Sequence, residues 1–247
     1  MEQWSGKIAV VTGASTGIGA EICKKLVASG MIVIGLARRE NKLKELAVTL
    51  KGESGEFHYF RVDLCQEENI LEAFKWIKQT FKCIDVLVNN AGVAKNADLL
   101  KGDTADWKLM FDTNVIGMSI CTKEAVRVMK ECSIEKGHII NINSLLGHIQ
   151  APEFLSNIAM YGATKFSVTA ITGNLRQLIG KEKLPIRVTS ISPGVVDTDM
   201  PKAAHVPVPG GLLKGEDIAD ALLYVLGAPQ HVNVAELILL PSENKIK

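Results

Sequence analysis

The chain has 247 residues, 47% hydrophobic and 22% charged, with 28 basic side chains against 27 acidic ones. That length accommodates one large α/β domain with an ample core, and that composition excludes a disordered polypeptide. Near charge balance leaves no global field to draw in nucleic acid or an anionic membrane surface, so a charge-neutral substrate is unexceptional.

The opening stretch MEQWSGKIAVVTGAS carries an acid at Glu2 and an apolar run too short for a secretory leader. No segment offers the ~18 uninterrupted apolar residues of a membrane-spanning helix, so a soluble, cytoplasmic protein with no membrane partner is expected. Cys23, Cys65, Cys83, Cys121 and Cys132 are odd in number and lack C-x-x-C spacing, so they read as reduced thiols with neither a disulfide framework nor a metal site. In chain order, β-branched runs at 7–12, 31–36, 56–62, 84–89, 138–143, 186–192 and 236–240 alternate with amphipathic stretches at 17–29, 39–51, 66–81, 104–132, 159–181 and 215–227. Continuous apolar strands of this kind suit a parallel sheet covered on both faces. The alternation predicts right-handed βαβ units, hence a doubly wound, Rossmann-like three-layer α/β sandwich with a seven-stranded parallel sheet, as one domain over 1–247. The stretch 199–215, DMPKAAHVPVPGGLLKG, has no period and holds Pro201, Pro207 and Pro209, which predicts an irregular loop on the substrate side.

The first strand runs directly into TGASTGIG at 12–19. Gly13, Gly17 and Gly19 allow a tight turn and close approach of backbone N–H groups to a pyrophosphate, which the positive end of a helix beginning near Ile18 also favours. The spacing Gly-x-x-x-Gly-x-Gly resembles the cofactor loop of the short-chain dehydrogenase/reductase (SDR) family, and it makes Ser15, Thr16 and Ile18 candidate contacts as well. After the second strand, IGLARRE places Ala37 where NAD-binding sheets carry an acid for the ribose 2′-hydroxyl, with Arg38 and Arg39 next. A guanidinium there suits a 2′-phosphate, so NADP(H) is the predicted cofactor and Arg38 its main contact.

The remaining motifs follow in the family's order. Asp63, with Leu64 beside it, falls after the third strand where the resemblance puts the adenine. NNAG closes the fourth strand, and its Asn90, Ala91 and Gly92 line the cofactor cleft by the same resemblance. Asn114 lies in the helical stretch FDTNVIG, Ser144 closes the fifth strand in ININS, and Tyr161 and Lys165 stand in MYGATKF. SPGVVDT supplies Pro193, Gly194, Val196 and Thr198, which the resemblance places beneath the nicotinamide, at its carboxamide and at a phosphate. All fall at or just after the carboxyl ends of strands, where open α/β sheets bind ligands.

A tyrosine and a lysine four apart on a helix share a face, and in isolation form an ordinary surface pair. Among these ordered motifs the pair reads instead as an acid/base couple. Taking a hydride from an alcohol carbon requires the hydroxyl proton to leave too, and a phenol with a pKa of about 10 is a poor base near neutrality. A neighbouring ammonium is expected to lower that pKa by about 1–3 units. Ser144 would fix the substrate oxygen beside Tyr161. The resemblance adds that Lys165 also holds the nicotinamide ribose and that Asn114 holds a water linking Lys165 to solvent. Ser144 and Tyr161 stand farther apart than is common in the family, which predicts an enlarged loop at the pocket mouth, with Ser156 a weaker substitute for Ser144.

Val93, Ala94, Leu145, Leu146, Ile149, Phe154, Leu155, Ile158 and Met200 are expected around the reaction centre, an apolar lining suited to a lipophilic alcohol or ketone. His148 reads as a solvent-facing loop residue. KGHIININS, SICTKEAVRVMK and ISPGVVDTDM resemble the branch that holds insect-type farnesol dehydrogenases and related NADP-dependent carbonyl and steroid reductases. That resemblance implies interconversion of an isoprenoid or other hydrophobic alcohol with its carbonyl. The alternatives are a general carbonyl or hydroxysteroid reductase and, from another class, a catalytically silent NADP-binding scaffold. It also implies a homodimer or homotetramer built through the helices at 104–132 and 159–181.

Overall fold

Seven strands form the centre of the computed structural model, which describes residues 1–206 and 211–242 except the side chain of Phe154. β1 (Ile8–Thr12), β2 (Ile32–Ala37), β3 (Glu56–Arg61), β4 (Val86–Asn89), β5 (Gly137–Ile142), β6 (Ile186–Pro193) and β7 (Glu236–Leu239) lie in the order β3-β2-β1-β4-β5-β6-β7. Every pairing is parallel. β5 and β6 are buried at every position, as strands covered on both faces must be. The strand order reverses between β1 and β4, and such a switch point opens a crevice beyond the carboxyl ends of the strands.

The helices are α1 (Gly17–Ala28), α2 (Glu40–Thr49), α3 (Glu67–Phe81), α4 (Thr104–Phe111), α5 (Met118–Glu131), α6 (Ala159–Lys181), α7 (Asp199–Ala203) and α8 (Gly215–Gly227). Successive strand residues point to opposite faces, so Val11 joins a core with Ile22 and Leu26 of α1, Leu43 of α2 and Leu222 of α8. Its neighbour Val10 joins a second core with Phe74 of α3, Val128 of α5 and Ile179 of α6. A third, smaller apolar cluster of Ala94, Leu146, Leu155, Ile158 and Ala204 belongs to neither face.

Three expectations are corrected. The single helix over 104–132 is interrupted by a π-helical stretch, Asp112–Gly117, between α4 and α5. Its Thr113, Asn114, Val115 and Gly117 are buried in continuity with the flanking α-helical turns, so the pattern did not show it. A Cβ on Gly117 would collide with the Leu64 carbonyl oxygen, so the widened turn also brings this helix close to the end of the β3 connection. The 199–215 stretch begins with the short helix α7, and Val196 bridges Leu213. Its residues 207–210 lie outside the described residues. Last, Cys83 and Cys132 are disulfide-bonded, with Cα atoms 5.7 Å apart, while Cys23, Cys65 and Cys121 are free thiols. Cys83 follows the end of α3 and Cys132 caps α5, and these helices pack side by side in the second core. A sequence separation of 49 residues hides that proximity from any short spacing rule. No helix among the described residues is long and apolar enough to cross a membrane.

Candidate active site

The site begins where β1 ends. Thr12 is buried, and its Oγ1 accepts hydrogen bonds from the backbone N–H groups of Asn90 and Ala91, both at 3.0 Å. Asn90 Nδ2 donates to the carbonyls of Thr12 (2.9 Å) and Gly13 (3.3 Å). The exit of β4 is thus tied to the glycine loop, and Asn90 spends its amide there while still lining the cleft. Gly13 and Gly17 have φ of +68° and +57°, in the region that favours glycine. A Cβ on Gly19 would collide with the Gly13 carbonyl oxygen, so the loop folds flat against the start of α1 only with glycine there.

Across the strand ends runs a cleft of about 860 Å³. On its β2–β3 side it is lined by Ser15, Thr16, Gly17, Ile18, Arg38, Arg39, Asp63 and Leu64, after β4 by Ala91 and Gly92, and after β6 by Pro193, Gly194, Val196 and Thr198. On the β5–β6 side it is lined by Val93, Ala94, Leu145, Leu146, Ile149, Leu155, Ile158 and Met200, with Ser144, Tyr161 and Lys165. Arg39 rather than Arg38 reaches the glycine loop, donating to Ser15 Oγ (3.2 Å) and Thr16 Oγ1 (2.5 Å). Arg38 lies exposed beside it. Leu36, Val62 and Thr113 line the same end. Sequence reasoning missed them because nothing distinguishes their residue types from ordinary core and helix positions.

Tyr161 and Lys165 come from the first turns of α6. Lys165 Nζ donates to the Ile142 carbonyl at the end of β5 (2.9 Å) and lies 5.7 Å from the centre of the Tyr161 ring. Ser144 caps the 3-10 turn Leu145–Gly147, its Oγ accepting from the Leu146 N–H at 3.2 Å. Tyr161 opens partly onto the cleft, yet desolvation pushes its phenol up to about 12, opposed by a hydrogen bond with the Ser144 hydroxyl. Desolvation pushes Lys165 down to about 8. Desolvation is thus the larger influence on the Tyr161 phenol, while the Lys165 ammonium donates to the Ile142 carbonyl.

Asn114 is buried behind the cleft rather than in its wall. Its Oδ1 accepts from the Val93 N–H (2.8 Å), and its Nδ2 donates to the Val93 carbonyl (2.9 Å) and to Thr164 Oγ1 (3.0 Å). Thr164 Oγ1 in turn donates to the Tyr161 carbonyl at 2.7 Å. Thr164, fully buried, links Asn114 to the tyrosine's own turn; its one sequence signal is its place three residues after Tyr161. His148 does not face solvent as expected. Its Nε2 lies 3.0 Å from Ser192 Oγ and 2.9 Å from Glu236 Oε1, which pins the turn after Ser144 against β6 and β7. The long spacing before Tyr161 is taken up by that turn and a second 3-10 segment, Glu153–Ile158, where Ser156 is exposed. Ile149 is 42% exposed at the mouth. The Phe154 side chain, expected in the pocket, lies outside the described residues.

The short chain dehydrogenase profile matches residues 7–206. Dehydrogenase/reductase SDR family member 11 of Gallus gallus is 44% identical over 254 residues, covering 98% of this chain and 99% of that protein. Farnesol dehydrogenase of Aedes aegypti is 43% identical over 247 residues, covering 99% of this chain and 100% of that protein. Among solved structures, an alcohol dehydrogenase from the archaeon Thermococcus sibiricus complexed with 5-hydroxy-NADP superposes with a TM-score of 0.84 at 27% identity, over 95% of this chain and 96% of that one.

Proposed function

The chain belongs to the short chain dehydrogenase family and is an oxidoreductase acting on CH–OH groups; from that premise we propose that it uses NADP(H) to interconvert a hydrophobic alcohol, with an isoprenoid such as farnesol as first choice, and its carbonyl. The observation that carries this reading is a single cleft that joins exposed Arg38 and Arg39 to Ser144, Tyr161 and Lys165 and then to an apolar wall. The residues present fit the cofactor: the backbone around Gly13 and Gly19 is a cradle that a Cβ would fill, and two guanidinium groups flank it. The NADP analogue in the archaeal alcohol dehydrogenase supports that choice, and the mosquito relative supports the isoprenoid.

When bound, the nicotinamide supplies or accepts the hydride. Ser144 Oγ hydrogen-bonds the substrate oxygen and holds it beside Tyr161. In reduction the Tyr161 phenol gives its proton to that oxygen; in oxidation the phenolate takes it. Lys165 holds the ribose and stabilises the phenolate as it forms. The Asn114 amide is committed to Val93 and Thr164, and through Thr164 it braces the turn that carries Tyr161. The working unit is a homodimer or homotetramer, for which exposed Ile116, in the π-helical stretch, and Phe166, on α6, supply apolar contact.

The test is oxidation of NADPH and of NADH, followed by nicotinamide absorbance, with farnesal, a steroid ketone and a short polar ketone. NADPH turnover with a lipophilic carbonyl is expected, and Tyr161→Phe should keep NADPH binding while losing about 10²–10⁴-fold in rate. Tight NADPH binding with no turnover of any carbonyl would move the protein to the scaffold class.

A further inference from the structure

We propose that Asn157 is a positioning residue that latches together the three segments walling the apolar pocket, and that it thereby sets the preference for a long lipophilic substrate; the substrate part rests on the function proposed above.

The third apolar cluster is drawn from separate pieces of chain: Ala94 after β4, Leu146, Leu155 and Ile158 after β5, and Ala204 after β6, with Met200 and Val206 packed against it. None of these pieces is held by the sheet ladder. Something else must set their spacing, and Asn157 touches all three. Its carbonyl accepts from the Ala97 N–H at 2.8 Å. Its Nδ2 donates to Asn96 Oδ1 at 3.1 Å and to the Ala204 carbonyl at 3.2 Å. Asn96 extends the latch, its Nδ2 meeting His205 Nδ1 at 3.3 Å. Trp107 Nε1 donates to the Ala97 carbonyl at 3.4 Å and so anchors the latch to α4.

The side-chain chemistry is particular. The Asn157 amide nitrogen donates to two separate segments, a task for which Asp lacks donors and Ala lacks atoms. Ala204 is fully buried, so a carbonyl there that loses its donor is left costly and unpaired. Asn157 does not itself line the cleft, whereas Leu155, Ile158, Met200 and Val206 do. A short carbonyl needs only Ser144 and Tyr161. A long apolar chain must also lie against those four side chains, whose separation the latch holds.

Asn157→Asp, which keeps size and removes the donors, and Asn157→Ala are compared with the wild-type full chain. The KM for farnesal should rise about tenfold in both variants. The KM for NADPH and kcat with a short polar ketone should stay within about twofold. In a double-mutant cycle, Asn96→Ala should add little once Asn157 is changed. Trypsin supplies a readout that needs no turnover: cleavage after Lys202, an exposed side chain on α7, should be faster in Asn157→Asp than in wild type. An unchanged farnesal KM, or an equal loss with the short ketone and NADPH, would overturn the proposal. If the wild type turns over no carbonyl, the proposed function fails on its own account and cleavage decides the latch: faster cleavage in the variant upholds it, and equal rates overturn it.

Discussion

Burial pushes the Tyr161 phenol up to about 12 and the Lys165 ammonium down to about 8, so both groups are held towards their neutral forms. The sign for activity follows. Below about 12 the phenol keeps its proton, which suits an acid that protonates a carbonyl oxygen, whereas alcohol oxidation needs the phenolate, whose fraction grows with pH. Profiles of kcat/KM in the two directions should therefore diverge, oxidation climbing through the alkaline range while reduction does not; a reduction rate that demands the more alkaline medium would contradict this. At the other end of the cleft the two arginines separate by what they touch. Arg38→Ala should raise the KM for NADPH about 10–100-fold, the worth of a charge-assisted hydrogen bond, and leave that for NADH unchanged. Arg39→Ala should raise both, because its guanidinium also braces Ser15 and Thr16 in the glycine loop.

At the scale of elements, the junction of β1 with α1 depends on an absent side chain. Gly19→Ala should abolish NADPH binding, measured by fluorescence titration, and lower stability by about 1–3 kcal/mol, because the added methyl collides with the Gly13 carbonyl and the Asn90 amide. The Cys83–Cys132 bond ties the ends of α3 and α5. Its loss in Cys83→Ser should cost about 2–4 kcal/mol, seen as a lower urea midpoint without reductant. Reductant should bring the wild type to the same midpoint and leave the variant unmoved. The two helices also share a surface ion pair between Lys78 and Glu131, which is solvent-screened and contributes little beside the covalent tie.

For the whole molecule, Ile116 is 53% and Phe166 43% exposed, and a homo-oligomer that covers them should be seen by light scattering. Ile116→Glu with Phe166→Glu should yield a smaller species that still binds NADPH. Strands and most helices were legible in the sequence to within about two residues, since an apolar run or a three-to-four residue period is a local record of which face is buried, whereas the π-helical break at Asp112–Gly117 and the helix α7 were not. The motif residues were legible as an ordered set at strand ends, and all but Asn114 among the catalytic candidates line one cleft. What the chain could not announce lies between residues far apart in it: the pairing of Cys83 with Cys132, the clasp of His148 on Ser192 and Glu236, and the loops gathered at Asn157. The direction of the Tyr161 shift belongs there too, because desolvation depends on everything packed around a group and not on its neighbour one turn away. Sequence alone thus determined the order of the elements and the chemistry available at their ends, which local periodicity and residue type encode. Only the tertiary structure decided which of those groups meet, which are dry and which are braced, because contacts and dielectric arise when distant segments pack.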